Sequence, residues 1–124
     1  MRRAPLIFAA MAAIVLALAA ITPAEAGYGA IAYDQNSGKD GASWDKASPA
    51  EANELALKAC SSPECRVHPV EPAGCGALAI SDKDKAWGGA DRATLDKAKH
   101  DAVEHCQTHT QTGICAVRVS GCNK

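Results

Sequence analysis

His105 and His109 stand four residues apart, a spacing that sets two imidazoles on one helical face and can hold a transition metal. Cys106 lies between them and reads as the end of that helix. The pair is therefore expected at a solvated helix end, where histidine suits the negative pole of the helix dipole. His68 and His100 complete the four histidines. Asp82, Asp84 and Asp91 crowd one turn, but Lys83 and Lys85 interleave with them. The spaced acids, central glycine and closing glutamate of a calcium loop are missing. His100 and Asp101 would make an acid–base pair for hydrolysis if folding brought a serine or a further aspartate beside them. The chain has no Gly-x-Ser-x-Gly, no His-Glu-x-x-His and no glycine-rich phosphate loop. No catalytic residue, metal ligand or cofactor is assigned from these patterns.

The six cysteines are Cys60, Cys65, Cys75, Cys106, Cys115 and Cys122. None forms a Cys-x-x-Cys pair, which argues against zinc. Residues 1–26 read as a secretory signal peptide. Arg2 and Arg3 form its basic end, Leu6 to Ile21 its apolar stretch, and Ala24-Glu25-Ala26 its cleavage pattern. The apolar stretch has 16 residues, short of the roughly 20 that span a bilayer. Export to the periplasm or the medium is expected, with no membrane span after cleavage. That compartment is oxidising, so an even cysteine count reads as three disulfides.

The elements that must position these groups come from an internal repeat. Tyr28-Gly29-Ala30-Ile31-Ala32-Tyr33 matches Cys75-Gly76-Ala77-Leu78-Ala79-Ile80. Ser48 to Cys60 matches Thr94 to Cys106, and Cys65-Arg66-Val67 matches Cys115-Ala116-Val117. Ordered matches of this kind point to duplication. Each copy predicts a short strand (28–33 and 75–80), then a glycine-containing turn with a tryptophan (38–44 and 82–89). A helix and a final strand (65–70 and 114–120) follow. Ser48, Pro49 and Glu51 mark the first helix start, and Thr94 the second. Ala52, Leu55, Ala56 and Ala59 are the expected buried face of the first helix. Pro69 and Pro72 suggest that the strand near them is an edge. The fold expected is α+β: two tandem β(β)αβ pseudo-repeats, 27–72 and 73–124, in one domain. Two helices would pack on one face of a mainly antiparallel sheet.

Six cysteines allow fifteen pairings. Equivalent positions in a repeat should make equivalent bonds, which gives Cys60–Cys65 and Cys106–Cys115 and leaves Cys75–Cys122. Trp44 and Trp87 fall in the two turn regions. They either cover the thin core or form a contact surface for a glycan or peptide.

The mature part, 27–124, has 98 residues with 11 basic and 13 acidic side chains, a formal net of −2. No basic cluster marks a nucleic-acid surface. Its aromatic residues are Tyr28, Tyr33, Trp44 and Trp87. So little large apolar surface makes a domain of this size marginal without covalent help.

The Tyr28–Tyr33 and Cys75–Ala79 segments, the two alanine-spaced helices ending in Cys60 and Cys106, Cys65-Arg66-Val67 and Ala86-Trp87-Gly88 carry a resemblance. They resemble the bacterial exported family known as domain of unknown function 4189, over nearly all of 27–124. The resemblance carries no established activity. The chain departs from the family pattern after Cys65, where His68, Pro69, Glu71 and Pro72 replace apolar strand residues. The function expected is a non-catalytic module that binds a protein or a cell-envelope component. The alternatives are a small hydrolase and an inhibitor or immunity-type protein.

Overall fold

The computed structural model describes residues 27–124; the signal-like segment 1–26 lies outside the described residues. The elements are β1 (Tyr28–Tyr33), β2 (Asp40–Lys46), α1 (Pro49–Cys60), β3 (Arg66–Val70), β4 (Cys75–Ser81), β5 (Trp87–Arg92), α2 (Leu95–His109) and β6 (Cys115–Cys122). The order ββαβ therefore occurs twice. Every strand pairing is antiparallel. The α+β class, the two β(β)αβ units and three disulfides are as expected.

The layering differs from the single sheet expected. There are two three-stranded sheets, ordered β2-β1-β3 and β5-β4-β6. The alternation along the central strands explains why. In β1, Ala30 and Ala32 pack with Ala52 and Ala56 of α1. In β4, Ala77 and Ala79 pack with Ala98 and Ala102 of α2. The opposite faces of those strands carry Ile31, Tyr33, Leu78 and Ile80, which form a third cluster with Val70. A single sheet with both helices on one face would leave that cluster in water. The two sheets instead close on each other, with one helix outside each.

Of the segments 38–44 and 82–89 expected as turns, the parts from Asp40 and from Trp87 onward are strand instead. Gly41 and Gly88 sit where the helices cross. A Cβ at Gly41 would strike the backbone of Ala56, Ala59 and Cys60, and one at Gly88 the backbone of Ala102, His105 and Cys106. These glycines let an alanine-faced helix lie directly on its sheet.

The helix starts follow the sequence. Ser48 Oγ accepts from Glu51 N at 3.2 Å, and Thr94 Oγ1 accepts from Lys97 N at 3.3 Å. Glu51 reaches back to Ala47 N rather than to the cap itself. The buried faces are Ala52, Ala56 and Cys60 in α1, and Ala98, Ala102 and Cys106 in α2. Ala59 is exposed and Leu55 half-buried. Helix α2 runs on past Cys106 to His109. Strand β3, which carries Pro69, is an edge strand of five residues.

Candidate functional site

All six cysteines are bonded, as Cys60–Cys65, Cys106–Cys115 and Cys75–Cys122. The first two tie a helix end to the strand that follows. The third joins directly opposed residues of β4 and β6. No free thiol stands among the described residues to act as a nucleophile.

The two tryptophans stand on strands, Trp44 in β2 and Trp87 in β5, and not in the turns expected. Both are half-buried and pack against the layer between the sheets. Strand β2 lies over β6, and β3 over β5. Matching the sheets through their pairing sets Ile31 with Leu78, and so His68 with Val119 and Val70 with Gly121. On strands β2 and β5, Asp40 matches Trp87 and Ser43 matches Ala90, so that Trp44, at a bulge in β2, falls with Asp91. The two ends of the inner layer are therefore filled differently. Over β6, the Trp44 ring occupies the space above Gly121, where an added Cβ would come within 2.6 Å of it. Over β3, Asp91 replaces the large ring and a cleft of about 380 Å³ remains. Ile31, His68, Val70, Leu78 and Trp87 line it.

His68 and Trp87 also wall a second, more polar cleft of about 620 Å³ with Tyr33, Asn36, Glu64 and Arg66. The His68 and Trp87 rings are 4.7 Å apart, and Tyr33 meets Trp87 edge-on at 6.1 Å. The Tyr33 hydroxyl and His68 Nε2 are buried without a hydrogen-bond partner. Burial pushes the His68 pKa down, so its ring is neutral at neutral pH. Burial raises that of Tyr33, which keeps its proton. The site thus offers an aromatic face, a hydroxyl donor and a neutral imidazole at the join of the two sheets. The sequence reading missed Tyr33 and His68 as its members.

The remaining sequence candidates have structural roles or stand apart. Asp82 Oδ1 accepts from Ile114 N, and Asp91 Oδ2 from Glu71 N. Asp84 accepts from Thr110 Oγ1 and Gln111 N just beyond α2. His100 approaches Asp101 at 3.2 Å, and Glu104 lies near. Asp101 is already bound by Arg92 at 2.7 Å and Lys97 at 3.2 Å. His100 lines one shallow hollow and Asp101 another, and neither hollow contains a serine. Folding does not assemble the hydrolytic constellation there.

Fold and site together define a disulfide-stapled α+β domain of two ββαβ halves with a cleft at their junction. The chain belongs to the family of domain of unknown function DUF4189, whose profile matches residues 28–122. It is 42% identical over 76 residues to Protein Rv1269c of Mycobacterium tuberculosis and to Protein Mb1300c of Mycobacterium bovis. That match covers 61% of this chain and spans 58% of the length of those relatives. The NMR structure of Rv1813c from Mycobacterium tuberculosis has a similar fold, with a TM-score of 0.59 and 32% identity. The similarity covers 77% of this chain and 74% of that one.

Proposed function

We propose that this domain is a non-catalytic binding module of the periplasm or the cell exterior, and that the His68–Trp87 cleft receives its partner. The observation that carries this is a pair of polar atoms, Tyr33 Oη and His68 Nε2, left unpartnered beside an accessible aromatic ring. A buried hydroxyl without a partner costs about 1–3 kcal/mol. Nothing in the packing requires it, since phenylalanine would fill the same space. A partner that bonds to the hydroxyl gives it a purpose. The cleft volumes fall in the range of small-ligand sites. The partner expected is a cell-envelope component or a protein segment presenting polar groups beside a flat or apolar face.

The test is Tyr33→Phe. Thermal unfolding should show stability unchanged or raised by up to about 1 kcal/mol. Capture of envelope components by the oxidised protein should weaken in the same variant. Equal capture by both proteins, or cleavage of cell-wall or peptide substrates by the wild type, would overturn the reading.

A further inference from the structure

We propose that the last turn of α2 is a binding site for a divalent first-row transition metal ion, held through Nε2 of His105 and Nε2 of His109. Because α2 continues to His109, both residues lie on one helical face. Their ring centroids are 4.8 Å apart with the planes at 79°. Metal–nitrogen bonds of about 2.0–2.1 Å place two imidazoles on one ion with centroids about 5 Å apart. The rings already have that separation.

The hydrogen-bond partners favour Nε2 as the free nitrogen of each ring. His105 Nδ1 lies 3.3 Å from the Gly89 carbonyl oxygen, and His109 Nδ1 lies 2.8 Å from the His105 carbonyl oxygen and 3.1 Å from Thr108 Oγ1, whose own hydroxyl donates to that carbonyl. A carbonyl oxygen only accepts, so each contact is a hydrogen bond when Nδ1 carries the hydrogen and donates it. Each Nε2 then keeps its lone pair. Histidines that ligate metals are oriented in this way, with the second ring nitrogen donating to a carbonyl or carboxylate. The Gly89 bond also ties the ring of His105 to β5.

The surroundings favour a cation. The negative pole of the helix dipole lies at this turn. Both histidines line a hollow of about 330 Å³ beside Gln35, Asp84 and Trp87, which leaves room for water ligands. Asp84 is occupied by Thr110 and Gln111, so the protein supplies two ligands. Two imidazoles suit copper, nickel and zinc, with Cu²⁺ bound most tightly. The competing cluster is His100, Asp101 and Glu104, whose ligand atoms lie within 4.8 Å of one another. Its central carboxylate already holds Arg92 and Lys97, which repel an incoming cation.

The test is calorimetric titration of the oxidised chain with CuCl₂, NiCl₂ and ZnCl₂, alongside ¹H–¹⁵N NMR of the histidine rings. Before metal is added, both rings should show the Nδ1-protonated tautomer. Zn²⁺ should shift their Nε2 resonances with one ion bound per chain. His105→Ala and His109→Ala should each weaken binding at least about tenfold. His100→Ala should leave it unchanged. Absence of saturable binding up to about 1 mM, loss of binding in His100→Ala alone, or Nε2-protonated rings in the wild type would overturn the proposal.

Discussion

Asp34 and Asp84 hold matched corners of the two halves. Each sits in the turn between the first two strands of its half and reaches a hydroxyl residue just beyond the helix. Asp34 accepts from Ser62, from Ser37 at 2.7 Å and from the Asn36 backbone at 2.9 Å. The Ser62 and Ser37 hydroxyls hold its carboxyl down to about 2 from the ordinary 3.8. The Ser81 and Thr110 hydroxyls, in that order, bring Asp84 to about 2 in the same way. A carboxyl whose pKa is lower in the folded state stabilises the fold above its unfolded value, and that contribution is lost as pH falls through the folded value. Stability should therefore fall between pH 3.8 and about 2. His68 contributes an earlier loss. Its pKa is depressed by burial, so the unfolded chain takes up the proton first as pH drops below the ordinary 6.5. Denaturant melts of the wild type across this range should show both declines. Asp34→Asn should make the acid one shallower, Asp84 supplying the rest, and His68→Phe should flatten the one near neutrality. A wild-type melt independent of pH over both windows would refute this account.

At the scale of elements, the disulfides differ by the chain they close. Cys60–Cys65 spans five residues, Cys106–Cys115 nine, and Cys75–Cys122 forty-seven. In the chain-entropy model the longest closure stabilises by about 4 kcal/mol and the shortest by about 2 kcal/mol. Replacing Cys75 and Cys122 together with alanine should lower the unfolding free energy more than replacing Cys60 and Cys65, as read by guanidinium titration. Equal losses would place the stabilisation in native packing instead. The helices were legible in sequence because their signals are local: Ser48-Pro49 and Thr94 at the starts, alanines at every fourth position on the buried faces. Strands β1 and β4 were legible from their matched small and branched residues. Strands β2 and β5 were not, because Asp-Gly-Ala-Ser and Trp-Gly-Gly-Ala-Asp-Arg have the composition of turns. They are strands because β1 and β4 pair with them and a helix needs glycine beneath it. The cleft had no local signal either. His68 and Trp87 are on different sheets and meet only because β3 lies over β5. Asn123 is a similar case. It is buried, its Nδ2 donates to the Val70 and Glu71 carbonyls and its Oδ1 accepts from Asp45 N, so it pins the chain end to the first half.

At the scale of the whole molecule, the inner layer is what makes two halves one domain. Each half has its own small core of alanines and cystine against a helix, and that core contains little large apolar surface. Ile31, Tyr33, Val70, Leu78 and Ile80 are buried only because the sheets meet. Burying a large apolar side chain contributes about 1.5–3 kcal/mol. The four aliphatic ones amount to about the whole net stability of a typical domain, 5–15 kcal/mol. Polar bridges across the join add orientation: Arg118 to Asp40 at 3.3 Å, Lys85 Nζ to the Asn36 carbonyl at 2.7 Å, and the Asn123 contacts. Segment 27–72, cut free, would present Ile31, Tyr33 and Val70 to water on a three-stranded sheet with only Cys60–Cys65 to constrain it. Chains of that length are marginal even with a full core. We therefore expect segment 27–72 to show no cooperative thermal transition by circular dichroism. The intact chain should melt in one step, with the slowest-exchanging amides on β1 and β4 alike. The proposed cleft adds a consequence, because it exists only where β3 and β5 come together. A ligand in it binds the assembled pair and neither half alone, so it should raise the single melting temperature. A separate transition for either half, or a ligand that binds segment 27–72, would show that the two halves are independent.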